Sequence, residues 1–405
     1  MSGERLAEFR RGRTVLLTSA LGLACGLSAI PFYALSSFMA PLHADFGWSR
    51  GQIGIAATIL TVMQFLTGPL MGHFCDRYGV RRLLLPSALL FALALGALAL
   101  VRGSIWSLYG GYVLAALSGS ATTSVAYSRV VNTWFDRSRG LALGITMAGS
   151  GVTAFVMPLL LSQVIGGHGW RMGYLACAVA AIAPLPLLYR FLHERAEVRH
   201  GRGPVLDGLP VAAALRSRRF WTLVAAAACF SPAIQTVVIH LQPILSDTGF
   251  TGHQAARTAS LLGLGMIAGR FLSGTLLDRF HGPTVGMILF LIPIGGYLIF
   301  YAKLMAFAPL AVATIGISIG VEGDLFAYFT ARYFGMRSYA ELFGWVFGVM
   351  CIAGACGPLV ILLLPERGVY HKVLPVFAGL CVIAAALLRT LGAYPQRFAA
   401  VAAEH

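Results

Sequence analysis

Charge is scarce in this chain. Only 11% of its 405 residues are Asp, Glu, Lys or Arg, while 58% are hydrophobic and the mean hydropathy is +0.78. A water-facing domain of this length could not hide so much apolar surface, which excludes an ordinary soluble fold. The apolar runs also lack the alternation of barrel strands, so the backbone in lipid must satisfy its own hydrogen bonds as helix. Seven cysteines show neither paired CxxC spacing nor an accompanying His cluster, and they read as small buried hydrophobes rather than metal ligands or a disulfide framework. No metal motif, cofactor loop or nucleophile constellation stands out, so neither an enzyme nor a bound cofactor is expected.

What remains is a series of apolar stretches separated by charge clusters. A bilayer crossing needs roughly 20 mostly apolar residues, and the breaks mark twelve candidates. Their extents are 14–41, 52–75, 83–101, 105–134, 140–165, 170–190, 219–246, 256–278, 284–302, 305–331, 340–364 and 373–392. The first run exceeds a signal-peptide core and lacks a convincing cleavage site, so it is expected to stay as span 1. Of 30 Lys plus Arg, counting those at the ends of a span with the adjoining connection, 21 belong to the termini and even-numbered connections, 7 to the odd-numbered ones and 2 to span interiors. That bias predicts both ends in the cytoplasm of a multi-pass plasma-membrane protein. It also accounts for the net charge of +15 without nucleic acid as a partner.

The chain repeats itself. Gly72-His-Phe-Cys-Asp76-Arg77 returns 202 residues later as Gly274-Thr-Leu-Leu-Asp278-Arg279, each time closing a long apolar run. Pro41 with Pro243, Asp45 with Asp247 and Gly47 with Gly249 share that offset, while Pro31 with Pro232, Gly144 with Gly344 and Pro158 with Pro358 differ from it by one or two. The long polar stretch 192–218, with Arg195, Arg199, Arg202, Arg216 and Arg218, divides an N-terminal bundle over 1–191 from a C-terminal bundle over 219–405. Six spans on each side give both copies one orientation, hence parallel repeats about an axis along the membrane normal. Spans 2, 5, 8 and 11 are rich in Gly and Ala, which lets helix backbones approach closely.

Gly72, Asp76, Arg77, Gly79, Arg81 and Arg82 resemble the loop signature of the major facilitator superfamily, between its second and third helices, and the degenerate second copy falls in the matching place. The resemblance covers the whole chain. It implies a secondary transporter of two six-helix bundles that alternates a central cavity between the membrane faces. Gly47-Trp48-Ser49-Arg50, Trp134-Phe135, Arg139-Gly140 through Gly144, Ala148 through Gly151 and Gly269-Arg270 resemble the monocarboxylate transporter and oxalate:formate antiporter branch. The Gly-Pro-x-x-Gly-Gly pattern of drug:proton antiporters is absent from span 5.

Arg270 lies eight residues before Asp278, about 12 Å into the membrane at 1.5 Å per residue. A guanidinium there needs a partner or a wet cavity, and its fork suits a carboxylate. In the branch resembled, an Arg at this position binds the substrate carboxylate; the alternative is a standing salt bridge to Glu322 or Asp324. Those two acids are also deep in the membrane, in span 10, and stand about 200° apart around the helix, so they face different neighbours. Either is a candidate proton carrier, as is His240 of span 7, which a backbone hydrogen bond would instead explain as packing. Tyr33, Tyr127 and Tyr328 sit on spans that line the cavity in proteins this chain resembles, and with Gln64 and Gln235 they offer hydrogen bonds to an organic anion; helix packing explains them equally.

Arg129, seven residues before Asp136, either attracts an entering anion or joins Asp76 and Asp136 in a closing network. Asp76 and Arg77, mirrored by Asp278 and Arg279, resemble gate residues, with Asp76 expected to neutralise Arg81 or Arg82 or to favour an adjacent helix dipole. Three departures from the branch matter. Phe32 follows Pro31 where a Lys is usual, Met266 stands where an Asp precedes the Arg of span 8, and 341–364 lacks the second cation of oxalate:formate antiporters. One midplane cation implies one carboxylate per substrate. The sequence thus predicts a small organic anion and protons as partners, set against an exporter of drugs or neutral metabolites and a ligand sensor without flux.

Overall fold

The computed structural model describes residues 3–195, 207–241, 244–245, 252–362 and 369–395. Among them every regular element is helical. Span 1 comprises Gly3–Ala24 and Ile30–Phe46, span 2 Arg50–Tyr78, span 3 Val80–Ala97, and span 4 Ile105–Ser118 with Ser124–Trp134. Spans 5 and 6 run through Arg139–Ile182 and end in Leu185–Phe191. Spans 7 to 12 are Arg218–Ile239, Gly252–Leu277, Gly282–Tyr301, Ala308–Phe334, Tyr339–Leu362 and Val369–Thr390. Among the described residues eight helices are long and apolar enough to cross a bilayer, and Ile105–Ser118 and Leu261–Leu277 are shorter apolar ones. The molecule is an all-α membrane protein of the expected twelve-span kind. Pro243, Asp247 and Gly249 of the repeat lie outside the described residues.

The helices part where glycine or threonine permits it. Gly169, at φ 80° and ψ 169°, separates spans 5 and 6 inside an otherwise continuous helix. Span 1 loses α-helical form over 25–29 and span 4 over 119–123, where Ser120–Thr122 form a short 3-10 helix, and the two breaks meet. A Cβ on Gly26 would fall 2.2 Å from the Thr122 carbonyl oxygen, so only glycine allows the approach. The Leu27 amide donates to Thr122 Oγ1 at 3.0 Å, and Thr153 Oγ1 donates to the Ala24 carbonyl at 2.6 Å. Backbone groups freed at membrane depth are therefore taken up by side chains of neighbouring spans. Pro31 then restarts the helix in its first turn, where a missing N–H is harmless.

The chain divides into two compact units. One comprises residues Met1–Gly208 with Met336–Trp345, the other Leu209–Gly335 with Val346–His405. Within the first, span 5 packs on span 1 so closely that a Cβ on Gly149 would lie 2.1 Å from the Ala20 carbonyl. Span 2 takes the start of span 11 in the same way: a Cβ on Gly72 would lie 2.2 Å from the Ala340 carbonyl oxygen, and Gly68 packs against Gly344. Within the second unit the small-residue contact is between spans 8 and 10, where Gly265 and Gly269 face Gly316 and Gly320. Backbones at this distance gain dispersion contact that lipid tails cannot match.

Candidate functional site

The glycine seam of spans 8 and 10 sets Arg270 and Asp324 face to face. A Cβ on Gly320 would lie 3.2 Å from the Arg270 amide, and Asp324, one turn on, looks down the same side. Arg270 Nη1 donates to Asp324 Oδ1 at 3.3 Å, and Ser273 Oγ donates to Asp324 Oδ2 at 3.5 Å. Arg270 is 8% exposed and Asp324 1%. A guanidinium and a carboxylate thus neutralise one another deep in the second unit.

Glu322 looks the other way. Ser231 of span 7 donates its hydroxyl to Glu322 Oε1, and Glu322 is 4% exposed. Among the described residues no Arg or Lys pairs with it. The 200° between the two positions therefore sends one acid to a cation on span 8 and the other to a hydroxyl on span 7.

The second cluster of charge lies in the first unit. Arg129 of span 4, 3% exposed, donates from Nη1 to Asp76 Oδ1 and from Nε to Glu194 Oε1 at 2.9 Å. The Asp76 carboxylate also accepts from the Ala340 and Glu341 amides at 3.2 and 2.9 Å, so it caps the start of span 11. Beside it His73 Nδ1 lies 2.8 Å from Glu341 Oε2. The closing-network reading of Arg129 thus needs correction in one member. Asp136, largely exposed, pairs with Arg139 at 3.2 Å, and Glu194 takes its place beside Arg129. Asp76 does not pair with Arg81 either. Arg81 donates to the Tyr189 carbonyl at 2.5 Å and lies over that ring, and Arg77 lies over Tyr78.

The remaining candidates are scattered. Tyr127 is fully buried against Gly22, Gln64 accepts from Ser28 Oγ at 3.3 Å, and Gln235 packs against Gly354. Tyr328 donates to the Leu277 carbonyl and accepts from Arg332, which places it at the Asp278 end of span 10. Tyr33 is half-buried, Asp278 is partly buried and Arg279 is exposed. His240 Nδ1 donates to the Thr236 carbonyl at 3.0 Å, as a helix-end histidine does. Sequence reasoning missed Glu194, Ser231, Ser273 and His73. Glu194 sits at the edge of a basic run and Ser231 in an apolar span, and neither carries a signal of its own in the sequence.

Comparison with known proteins agrees with this architecture. A sequence profile described as Major Facilitator Superfamily matches residues 21–358. An MFS-type transporter of Gibberella moniliformis is 27% identical over 392 residues, covering 93% of this chain and 90% of that one. Monocarboxylate transporter 4 of Mus musculus is 25% identical over 383 residues, covering 89% and 78%. Among solved structures, the fucose:proton symporter of E. coli superposes with a TM-score of 0.73 at 14% identity, covering 94% of this chain and 98% of that one.

Proposed function

Because this chain belongs to the Major Facilitator Superfamily, and is therefore a multi-pass membrane transporter, we propose that it carries a small organic monocarboxylate across the plasma membrane by proton-coupled alternating access. Arg270 is the anchor for the cargo carboxylate. The single observation that carries this reading is the buried pair of Arg270 and Asp324 at 3.3 Å. Asp324 holds the place a substrate carboxylate would take, so the binding-competent arginine is kept charged and oriented while no cargo is present. The similarity to monocarboxylate transporter 4 supports the same substrate class.

Residues 1–191 and 219–405 are the two bodies that rock, with both termini in the cytoplasm. On this reading Arg129, Asp76 and Glu194 form a cytoplasmic latch, and release of the Ala340 and Glu341 amides from Asp76 accompanies inward opening. Proton symport follows from the membrane potential, which opposes entry of a lone anion by about 2.3 kcal/mol per charge per 100 mV. The test is uptake of radiolabelled lactate, pyruvate and larger carboxylates into vesicles with and without a pH gradient. Arg270→Ala should abolish it; undiminished uptake by that variant removes the anchor role.

A further inference from the structure

Two carboxylic acids in one span face different chemistry: Asp324 meets a guanidinium, with the Ser273 hydroxyl 3.5 Å away, whereas Glu322 meets a hydroxyl and, among the described residues, pairs with no Arg or Lys. Arg270 is a pure donor, so it satisfies Asp324 as the anion and would oppose its neutral form. Ser231 is a hydroxyl, able to donate to a carboxylate and to accept from a carboxylic acid. Rotation of one O–H bond switches between the two. Among the described residues, Tyr297 of span 9, Cys351 of span 11 and Cys381 of span 12 lie within electrostatic reach of Glu322. Phenols and thiols are neutral near pH 7, so none supplies a charge that would fix the acid as an anion. Tyr297 is occupied in any case, donating to the Ala233 carbonyl at 2.9 Å.

Resting on the transport reading above, we infer that the coupling proton rides on Glu322, held by Ser231 as its positioning residue, while Asp324 stays ionised as the resident counter-ion of Arg270. The two acids then have separate tasks. One proton binds the Glu322 carboxylate from one side of the membrane and leaves to the other, and no other bond changes. Ser231 immediately precedes Pro232, where span 7 lacks a backbone hydrogen bond. Loading and unloading of Glu322 therefore acts beside the missing backbone bond of that helix, linking the proton to the shape of spans 7 and 10.

The test has two arms. In the first, purified protein in liposomes of phosphatidylethanolamine and phosphatidylglycerol is titrated by infrared difference spectroscopy. A titrating carboxylic-acid C=O band should be present in the wild type, lost in Glu322→Gln, kept in Asp324→Asn, shifted in Ser231→Ala and restored by Ser231→Thr. Loss of the band in Asp324→Asn with survival in Glu322→Gln overturns the inference, as does a wild type without any titrating band. The Ser231→Ala shift supplies the answer should Glu322→Gln fail to fold.

In the second arm, lactate accumulation driven by a pH gradient should fall about tenfold or more in Glu322→Gln, while lactate:lactate exchange stays within about threefold of wild type. Equal loss of both activities in a well-folded variant overturns the coupling role. If the wild type carries no lactate, the infrared arm still locates the proton, and only the substrate reading falls.

Discussion

At the level of single residues the decisive fact is that Arg270 has a carboxylate in hand. Removing one member of a buried ion pair leaves an uncompensated charge, which costs about 3–5 kcal/mol, whereas neutralising both members is far less damaging. Arg270→Ala alone should therefore lower thermal stability in detergent markedly, and the double variant Arg270→Ala with Asp324→Asn should recover most of that loss while remaining inactive in uptake. If the double variant is no more stable than Arg270→Ala, Asp324 is not the partner that matters. Arg270 itself was legible in the sequence because a lone guanidinium within an apolar run is conspicuous. Its partner was half legible, since helical geometry demanded that Glu322 and Asp324 diverge but could not say which way either turned. Ser231 was not legible at all, because a serine in an apolar span carries no mark until the fold brings Glu322 to it.

Among elements, the one to watch is the start of span 11. It is tied to span 2 by the Asp76 carboxylate at two backbone amides, by the bare contact of Gly72, and by His73 with Glu341. A carboxylate at a helix N-terminus contributes about 0.5–2 kcal/mol through the hydrogen bonds and the dipole together. In a cysteine-free background, Ala340→Cys, buried here, should label slowly with a membrane-impermeant maleimide. Asp76→Ala should raise the labelling rate several-fold, and Asp76→Asn, which keeps an acceptor but loses the charge toward Arg129, should lie between; equal rates in all three would show that this contact does not hold the end shut. Gly72 and Asp76 were readable as a signature, but their partner helix was not, since 264 residues separate Asp76 from Ala340. The breaks in spans 1 and 4 were hidden for a related reason. Gly, Ser and Thr are common inside membrane helices, and only the meeting of Gly26 with Thr122 shows which of them end one.

For the molecule as a whole, the scarcity of charge bears on energetics as well as on fold. Among the described residues, the buried centre of the second unit contains one guanidinium, one carboxylate paired with it and one carboxyl facing a hydroxyl. If a cargo carboxylate displaces Asp324 from Arg270, the loaded protein gains one negative charge deep in hydrocarbon, which is costly unless a proton enters with it. A proton on Glu322 cancels that charge without disturbing the cation that holds the cargo. The transported sum is then neutral, and a neutral cycle is indifferent to voltage. Lactate uptake into proteoliposomes should accordingly respond to an inwardly directed proton gradient, but not to a potassium diffusion potential set with valinomycin at equal pH on both sides. Uptake that grows with an inside-positive potential would mean that net negative charge crosses, and that the proton does not travel with the anion.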